Sequence, residues 1–163
     1  MLSTRIAASG LIFLCLALVF AMVPQRATSR LAPAQSAPQS GNEEPVPAFH
    51  SEVPQGPLPA TMSPTLFTNL VAQNAYTIAA HIKKVLYQQP CYCHCDRSQG
   101  HASLLDCFVS KHAAGCEICM REGFYSYELT HKDRSSAQIR EGIERGEWRQ
   151  VDLSKYQAPL PAK

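Results

Sequence analysis

The 163-residue chain has a formal net charge of +2, and only 17% of its residues are charged. This balance gives no electrostatic basis for nucleic-acid binding, and the length allows at most one ordinary domain with appendages. Most of the 12 prolines precede residue 65, whereas six of the seven cysteines lie between residues 91 and 119. The composition therefore separates a proline-rich N-terminal region from a cysteine-rich domain.

Residues 1–30 have the pattern of an export signal. Arg5 supplies a positive charge before the apolar run Leu11–Val23, which has about the length of a signal-peptide core and is short for a membrane span. Cleavage is predicted after Ala21 or Ala27, and an uncleaved N-terminal membrane anchor beginning near Ile6 is the alternative. Either form predicts an extracytoplasmic domain (periplasmic, secreted or membrane-anchored facing outward), where free thiols tend to oxidise.

Two segments are predicted to lack a packed structure. Residues 31–62 combine several prolines with Ala, Gln, Ser and Gly, a composition typical of a disordered linker. Residues 153–163 end in Pro159 and Pro161 and are predicted to form a flexible tail. The domain between them, residues 63–152, is predicted to be all-α, with four helices.

The first helix is predicted to open at Ser63-Pro64, with serine as the N-cap and proline in the first turn. Its apolar stripe recurs at helical spacing, and Pro90 is expected to stop it. The stripe comprises Leu66, Leu70, Ile78, Ile82 and Leu86. Residues 91–100 are then predicted to form a loop.

Three further helices are predicted over Ala102–Lys111, over Cys116–Thr130, and from the capping-box pattern Ser135-x-x-Gln138 to the neighbourhood of Gly146. No segment alternates with the period of a strand. A core of this size benefits from a metal or disulfide staple.

Six cysteines and two histidines form the candidate site. Cys91, Cys93 and Cys95 alternate, Cys107 follows, and Cys116 and Cys119 form a Cys-x2-Cys pair, with His101 and His112 between the clusters. An extended chain would place the first three sulfurs on one side, and a helical turn would place Cys91 and Cys95 on one face. Either geometry predicts that at least two of these thiols converge.

The first hypothesis is a thiolate metal site. Soft thiolates favour zinc or Cu(I) over hard cations, and the Cys-x-Cys-x-Cys spacing, unusual for a zinc ribbon, favours copper slightly. His101 and His112 are candidates to complete or support the site. A helix N-terminus is expected to lower the thiol pKa of Cys116. Metal storage, sensing or delivery is the function that follows from this hypothesis. The carboxylates of Asp106, Glu117 and Glu122 are predicted to lie on solvated helix faces.

Two other hypotheses use the same cysteines. Six cysteines allow 15 disulfide pairings, and three disulfides would give a stapled structural or interaction domain without metal. In that arrangement the three clustered thiols need Cys107, Cys116 and Cys119 as their partners, one each. Alternatively, the Cys116–Cys119 pair at a helix start is the type used in thiol–disulfide exchange, the one enzymatic hypothesis that the sequence supports.

A set of motifs carries a family resemblance, and these motifs are Pro90-Cys91-Tyr92-Cys93-x-Cys95, Gly100-His101, Leu105-x-Cys107-Phe108, His112 and Cys116-x-Ile118-Cys119. Over roughly residues 63–152 the chain resembles a family of small bacterial exported proteins named for a Pro-Cys-Tyr-Cys-Gly-Cys motif. The resemblance implies an exported helical domain and brings no reaction, because that family is functionally uncharacterised. His94 stands where the motif has glycine, so the resemblance does not make it a ligand.

Overall fold

The computed structural model describes residues 44–160. The predicted signal or anchor and the first part of the predicted linker lie outside the described residues. The described chain contains α-helices and short 3-10 turns and no strand, which confirms the all-α prediction. Its helices are α1 (Leu70–His81), α2 (Lys83–Leu86), α3 (Cys95–Gln99), α4 (Leu104–Val109), α5 (Glu117–Thr130) and α6 (Ser136–Glu144).

The first helix starts later than the sequence predicts. Pro64–Leu66 forms only a 3-10 turn, after which the chain becomes extended at Phe67. The start of α1 is set instead by Asn69, whose side chain accepts hydrogen bonds from the backbone N–H groups of Val71 and Ala72. Leu66 is therefore 59% exposed and does not belong to the buried stripe.

The same helix is also interrupted before the predicted stop. The backbone at Ile82 leaves helical geometry (φ −114°, ψ 29°), so α1 and α2 are separate helices. Ile82 and Leu86 are nevertheless buried, because the break keeps their apolar side chains on the core side. The helical path ends at Tyr87, before Pro90 is reached.

The central element is α5, which contacts α1, α2, α4 and α6. Gly123 permits the approach of α4, because a Cβ atom built at this position would lie 2.9 Å from Cζ of the buried Phe108. On another side, the ring of Phe124 stacks on Tyr156 with centroids 3.5 Å apart. The first turn of α5, which carries two of the cysteines, is thereby held from several directions.

The predicted capping box at the start of α6 is confirmed. The Ser135 hydroxyl accepts from the Gln138 backbone N–H, and the Gln138 side chain accepts from the Ser135 N–H. Gly146, with φ +76°, follows the helix in the left-handed conformation. Trp148 then packs into the core and is 5% exposed.

Contacts with the helices extend beyond the expected domain bounds of 63 and 152. On the N-terminal side, residues 44–62 have neither helix nor strand, but the His50 ring stacks on Tyr87 with centroids 3.9 Å apart. On the C-terminal side, a 3-10 turn over Leu153–Tyr156 buries Tyr156. The Asn74 side-chain amide donates to the carbonyl oxygens of Tyr156 and Ala158.

Across residues 44–160, none of the helices combines the length and the apolar character that a membrane crossing requires.

Candidate metal centre

The Pro-Cys-Tyr-Cys segment forms a turn between α2 and α3. The carbonyl of Cys91 accepts a hydrogen bond from the His94 backbone N–H at 3.1 Å, which closes the turn. It places the sulfurs of Cys91 and Cys93 3.3 Å apart. The prediction of a loop through residue 100 is wrong, because Cys95–Gln99 forms α3, which Gly100 (φ +69°) ends.

His94 explains why the family motif has glycine at this position. Its backbone is left-handed (φ 56°, ψ 34°), a conformation that costs an ordinary residue roughly 1–2 kcal/mol and glycine almost nothing. The imidazole Nε2 lies 3.1 Å from a carboxylate oxygen of the exposed Glu44, so this ring nitrogen is paired with a surface carboxylate. Position 94 therefore shapes the turn through its backbone.

Helix α4 contributes Cys107. A carboxylate oxygen of Asp106 accepts hydrogen bonds from the backbone N–H groups of Ala102 and Ser103 at 2.7 and 3.2 Å, which fixes the start of this short helix. The fully buried Cys107 sulfur lies 3.3 Å from the sulfur of Cys95.

Helix α5 contributes the Cys-x2-Cys pair. Cys116 is the N-cap residue, and Cys119 is buried in the first turn. The Cys119 sulfur lies 3.5 Å from that of Cys91 and 3.6 Å from that of Cys93. Residues far apart in sequence thus bring their sulfurs into contact.

The two histidines have different positions. His112, in the 3-10 turn His112–Gly115, places Nε2 3.4 Å from the Cys93 sulfur, while its Nδ1 contacts the Gln99 amide nitrogen at 2.6 Å. This second contact orients the ring. His101 lies beside the cluster, with Nδ1 3.4 Å from the Cys107 sulfur.

All six cysteines of the described chain are free thiols, and their sulfurs, with His112, form three overlapping groups of four donor atoms. Within each group every donor lies within 4.8 Å of the others. The groups are Cys91–Cys93–Cys107–Cys119, Cys93–Cys95–Cys107–His112 and Cys93–His112–Cys116–Cys119. All predicted site residues except His101 therefore belong to at least one group, and Cys93 belongs to all three.

Burial divides the cluster into a floor and an opening. The floor consists of Cys91, Cys95, Cys107 and Cys119, which are buried. The opening consists of Cys93, Cys116 and His112, which are partly exposed. The three partly exposed donors belong to one donor group, so they offer a route by which an ion could reach the floor.

Hydrogen bonding distinguishes the thiol of Cys93 from that of Cys116. Cys93 accepts from the thiols of Cys91 and Cys119, and hydrogen bonds from its neighbours, that of Cys107 foremost, lower its pKa. The predicted lowering at Cys116 is wrong. Although its hydrogen bond with Cys119 lowers the value, the hydrogen bond to Cys93 and burial raise the pKa of Cys116 overall.

Glu122 is the residue that sequence reasoning placed wrongly. It is fully buried, and Oε1 accepts a hydrogen bond from the Tyr92 backbone N–H at 2.8 Å. Burial raises the pKa of this carboxyl to about 8. Glu122 lies three residues after Cys119, so both side chains are on one face of α5. This spacing could have indicated from the sequence that Glu122 lies near the cysteine cluster.

The fold and the cluster define a small all-α protein with a Cys/His site of a kind that can hold a metal ion. The chain belongs to the family described as "protein of unknown function with PCYCGC motif", whose profile matches residues 58–159. No curated protein and no solved structure matched the chain.

Proposed function

We propose that this protein binds a soft metal ion, copper(I) or zinc, outside the cytoplasm, and that it stores, senses or delivers that ion. One observation carries the proposal: six sulfurs and one imidazole nitrogen lie in overlapping groups whose donors are within 4.8 Å of one another. Sulfur and imidazole donors in such numbers suit soft or borderline ions.

The donors come from separate parts of the chain, which are the 91–94 turn, the first residue of α3, α4, the 112–115 turn and the start of α5. An ion that joins them would stabilise the folded state relative to the unfolded chain, because the unfolded chain presents no assembled site. The partly exposed edge at Cys93, Cys116 and His112 gives the route for loading and release.

The location and the tether are proposed from the N-terminal sequence. The apolar run Leu11–Val23 behind Arg5 supports export, with the segment either cleaved or retained as a membrane anchor. The part of the predicted linker that precedes residue 44 would then give the domain reach from the membrane surface.

We propose a binding role without catalysis. Exchange by the Cys116–Cys119 pair would need an attacking cysteine with a lowered pKa, whereas the pKa of Cys116 is raised and Cys119 is fully buried. Turnover of a test disulfide substrate by the reduced protein would overturn this part of the proposal.

A second candidate is a disulfide-stapled domain, and one pairing joins neighbouring sulfurs without closing a strained Cys-x-Cys ring. Cys95 and Cys107 are 3.3 Å apart, and Cys91 and Cys119 are 3.5 Å apart. Cys93 and Cys116 share a donor group. Oxidation along these pairs would use all six thiols and would join the 91–95 turn to α4 and α5.

The deciding experiment uses protein purified without reductant from its native compartment. Metal analysis is combined with intact mass measured before and after denaturation in chelator. Stoichiometric copper or zinc together with six free thiols supports the proposal. A mass lower by about six units, two for each of three disulfides, with no metal bound before or after reduction, would overturn it in favour of the second candidate.

A further inference from the structure

The three donor groups cannot be filled independently. Every pair of groups shares two donors, and one of the shared donors is always Cys93. Separate tetrahedral zinc sites would need four donors each, so the seven donors can hold two zinc ions only if those ions share ligands.

Shared ligands are possible for some of these donors and not for others. A thiolate sulfur has several lone pairs and can bridge two ions, whereas an imidazole nitrogen has one lone pair and binds one ion. The two groups that share His112 therefore cannot each hold an ion through all four of their donors at the same time. The Cys91-containing group shares only sulfurs with each of the other two, either Cys93 with Cys107 or Cys93 with Cys119.

The sulfur separations fit such sharing. Sulfurs around one tetrahedral ion at about 2.3 Å lie about 3.7–3.8 Å apart, and the separations among Cys91, Cys93 and Cys119 are 3.3, 3.5 and 3.6 Å. The Cys95 and Cys107 sulfurs, 3.3 Å apart, continue the same cluster on its other side. The sulfurs thus form one continuous set, with Cys93 common to both sides.

From this arrangement we infer that the site holds a polynuclear copper(I)–thiolate cluster in which the Cys93 sulfur bridges the ions. Copper(I) is satisfied by fewer thiolate ligands than the four of a zinc site, so six sulfurs that share one member accommodate several copper(I) ions. The inference rests on the proposed function and specifies its cargo.

The partly exposed position of Cys93 also distinguishes an open side of the cluster from a buried side. Cys93, Cys116 and His112 form the open side, while the remaining four sulfurs lie beneath them. An ion that arrives at the open side would meet Cys93 together with Cys116 and His112, and the Cys93 sulfur also belongs to the groups that contain the buried cysteines. Cys93 thus serves both the loading position and the buried positions.

The test is an anaerobic titration of the full, reduced protein with copper(I) against a competing chelator, followed by native mass spectrometry. A Cys15→Ser background leaves only the six clustered thiols. We expect two or more copper(I) ions to bind together, with a copper–copper distance visible in X-ray absorption spectra. Zinc added alone should bind with fewer ions per chain.

Two variants separate bridging from simple ligation. Cys93→Ser, which removes a member of every donor group, should lose at least half of the bound copper. Cys116→Ser, which removes a member of one group only, should lose fewer copper(I) ions than Cys93→Ser. Circular dichroism of the metal-free variants controls for folding, and the wild-type absorption spectrum tests the cluster without any substitution.

The outcomes distinguish this inference from the proposed function. One ion of copper or zinc per chain, without a metal–metal distance, overturns the polynuclear cluster and leaves soft-metal binding intact. Unchanged copper stoichiometry in Cys93→Ser overturns the bridging role of Cys93. Failure of the reduced protein to bind either metal overturns both.

Discussion

Position 94 offers a sharp test of how the cysteine turn is built. His94 has φ +56°, so its Cβ atom makes the left-handed backbone conformation energetically unfavourable. We compare His94→Gly with His94→Ala, because both substitutions remove the imidazole and its ion pair with Glu44 and the two variants differ only in the Cβ atom.

The expected difference follows from two opposing terms. The Cβ of alanine costs roughly 1–2 kcal/mol in the left-handed region, and glycine loses about 0.4–1 kcal/mol through the greater entropy of its unfolded chain. The glycine variant should therefore be more stable by about 1 kcal/mol. In an ordinary helical position the sign is reversed, and alanine is favoured by about the same amount.

The assay is thermal or urea unfolding of the reduced, metal-free variants. A difference of about 1 kcal/mol corresponds to roughly 4 °C in Tm for a domain of this size. Both variants should bind as much metal as the wild type, because His94 is in none of the donor groups. An alanine variant as stable as the glycine variant would refute the turn geometry, and a loss of metal in both would make His94 a ligand.

Three further predictions concern stability. Gly123→Ala should cost about 1–3 kcal/mol by overpacking, measured by urea unfolding, because the new Cβ would lie 2.9 Å from the buried Phe108 ring; an unchanged midpoint would contradict the close approach. Asn74→Ala should cost about 1–3 kcal/mol and raise amide exchange near Tyr156, because it removes one buried and one partly buried hydrogen bond to the C-terminal segment; unaltered exchange there would argue against that docking. Burial raises the pKa of Glu122 from its ordinary 4.5 to about 8. Between these two pH values the folded state holds a proton that the unfolded chain has released. The stability of the metal-free protein should therefore fall by at most about 5 kcal/mol as pH rises from about 4.5 to about 8. Glu122→Gln, which keeps an acceptor for the Tyr92 N–H, should flatten this slope, and an equally steep slope in the variant would exclude Glu122 as its source.

The sequence by itself determined the helical class, the family and the residues of the cluster. Helical spacing of apolar residues and the Ser135–Gln138 capping box are local signals. Such signals can be recognised in the sequence without knowledge of the fold. The alternation of Cys91, Cys93 and Cys95 likewise required some convergence of thiols, whichever backbone conformation they adopted.

Where the helices begin was decided by competition between local signals. Ser63-Pro64 looked like a helix start, but the Asn69 side chain satisfies the first free N–H groups of α1, so the helix begins there. The α3 helix was missed because its sequence has no apolar period, and its ends depend on left-handed backbone at His94 and Gly100.

Only the tertiary structure decided which sulfurs share an ion-sized space. That arrangement depends on α5 packing between α1 and α4, which carries Cys119 to the 91–95 turn across 28 residues of chain. The burial of Glu122 arises in the same way, because the turn closes over that face of α5 and supplies the Tyr92 N–H. Contacts between distant segments leave no periodic pattern in the sequence, so only the folded structure shows that Cys93 belongs to all three donor groups.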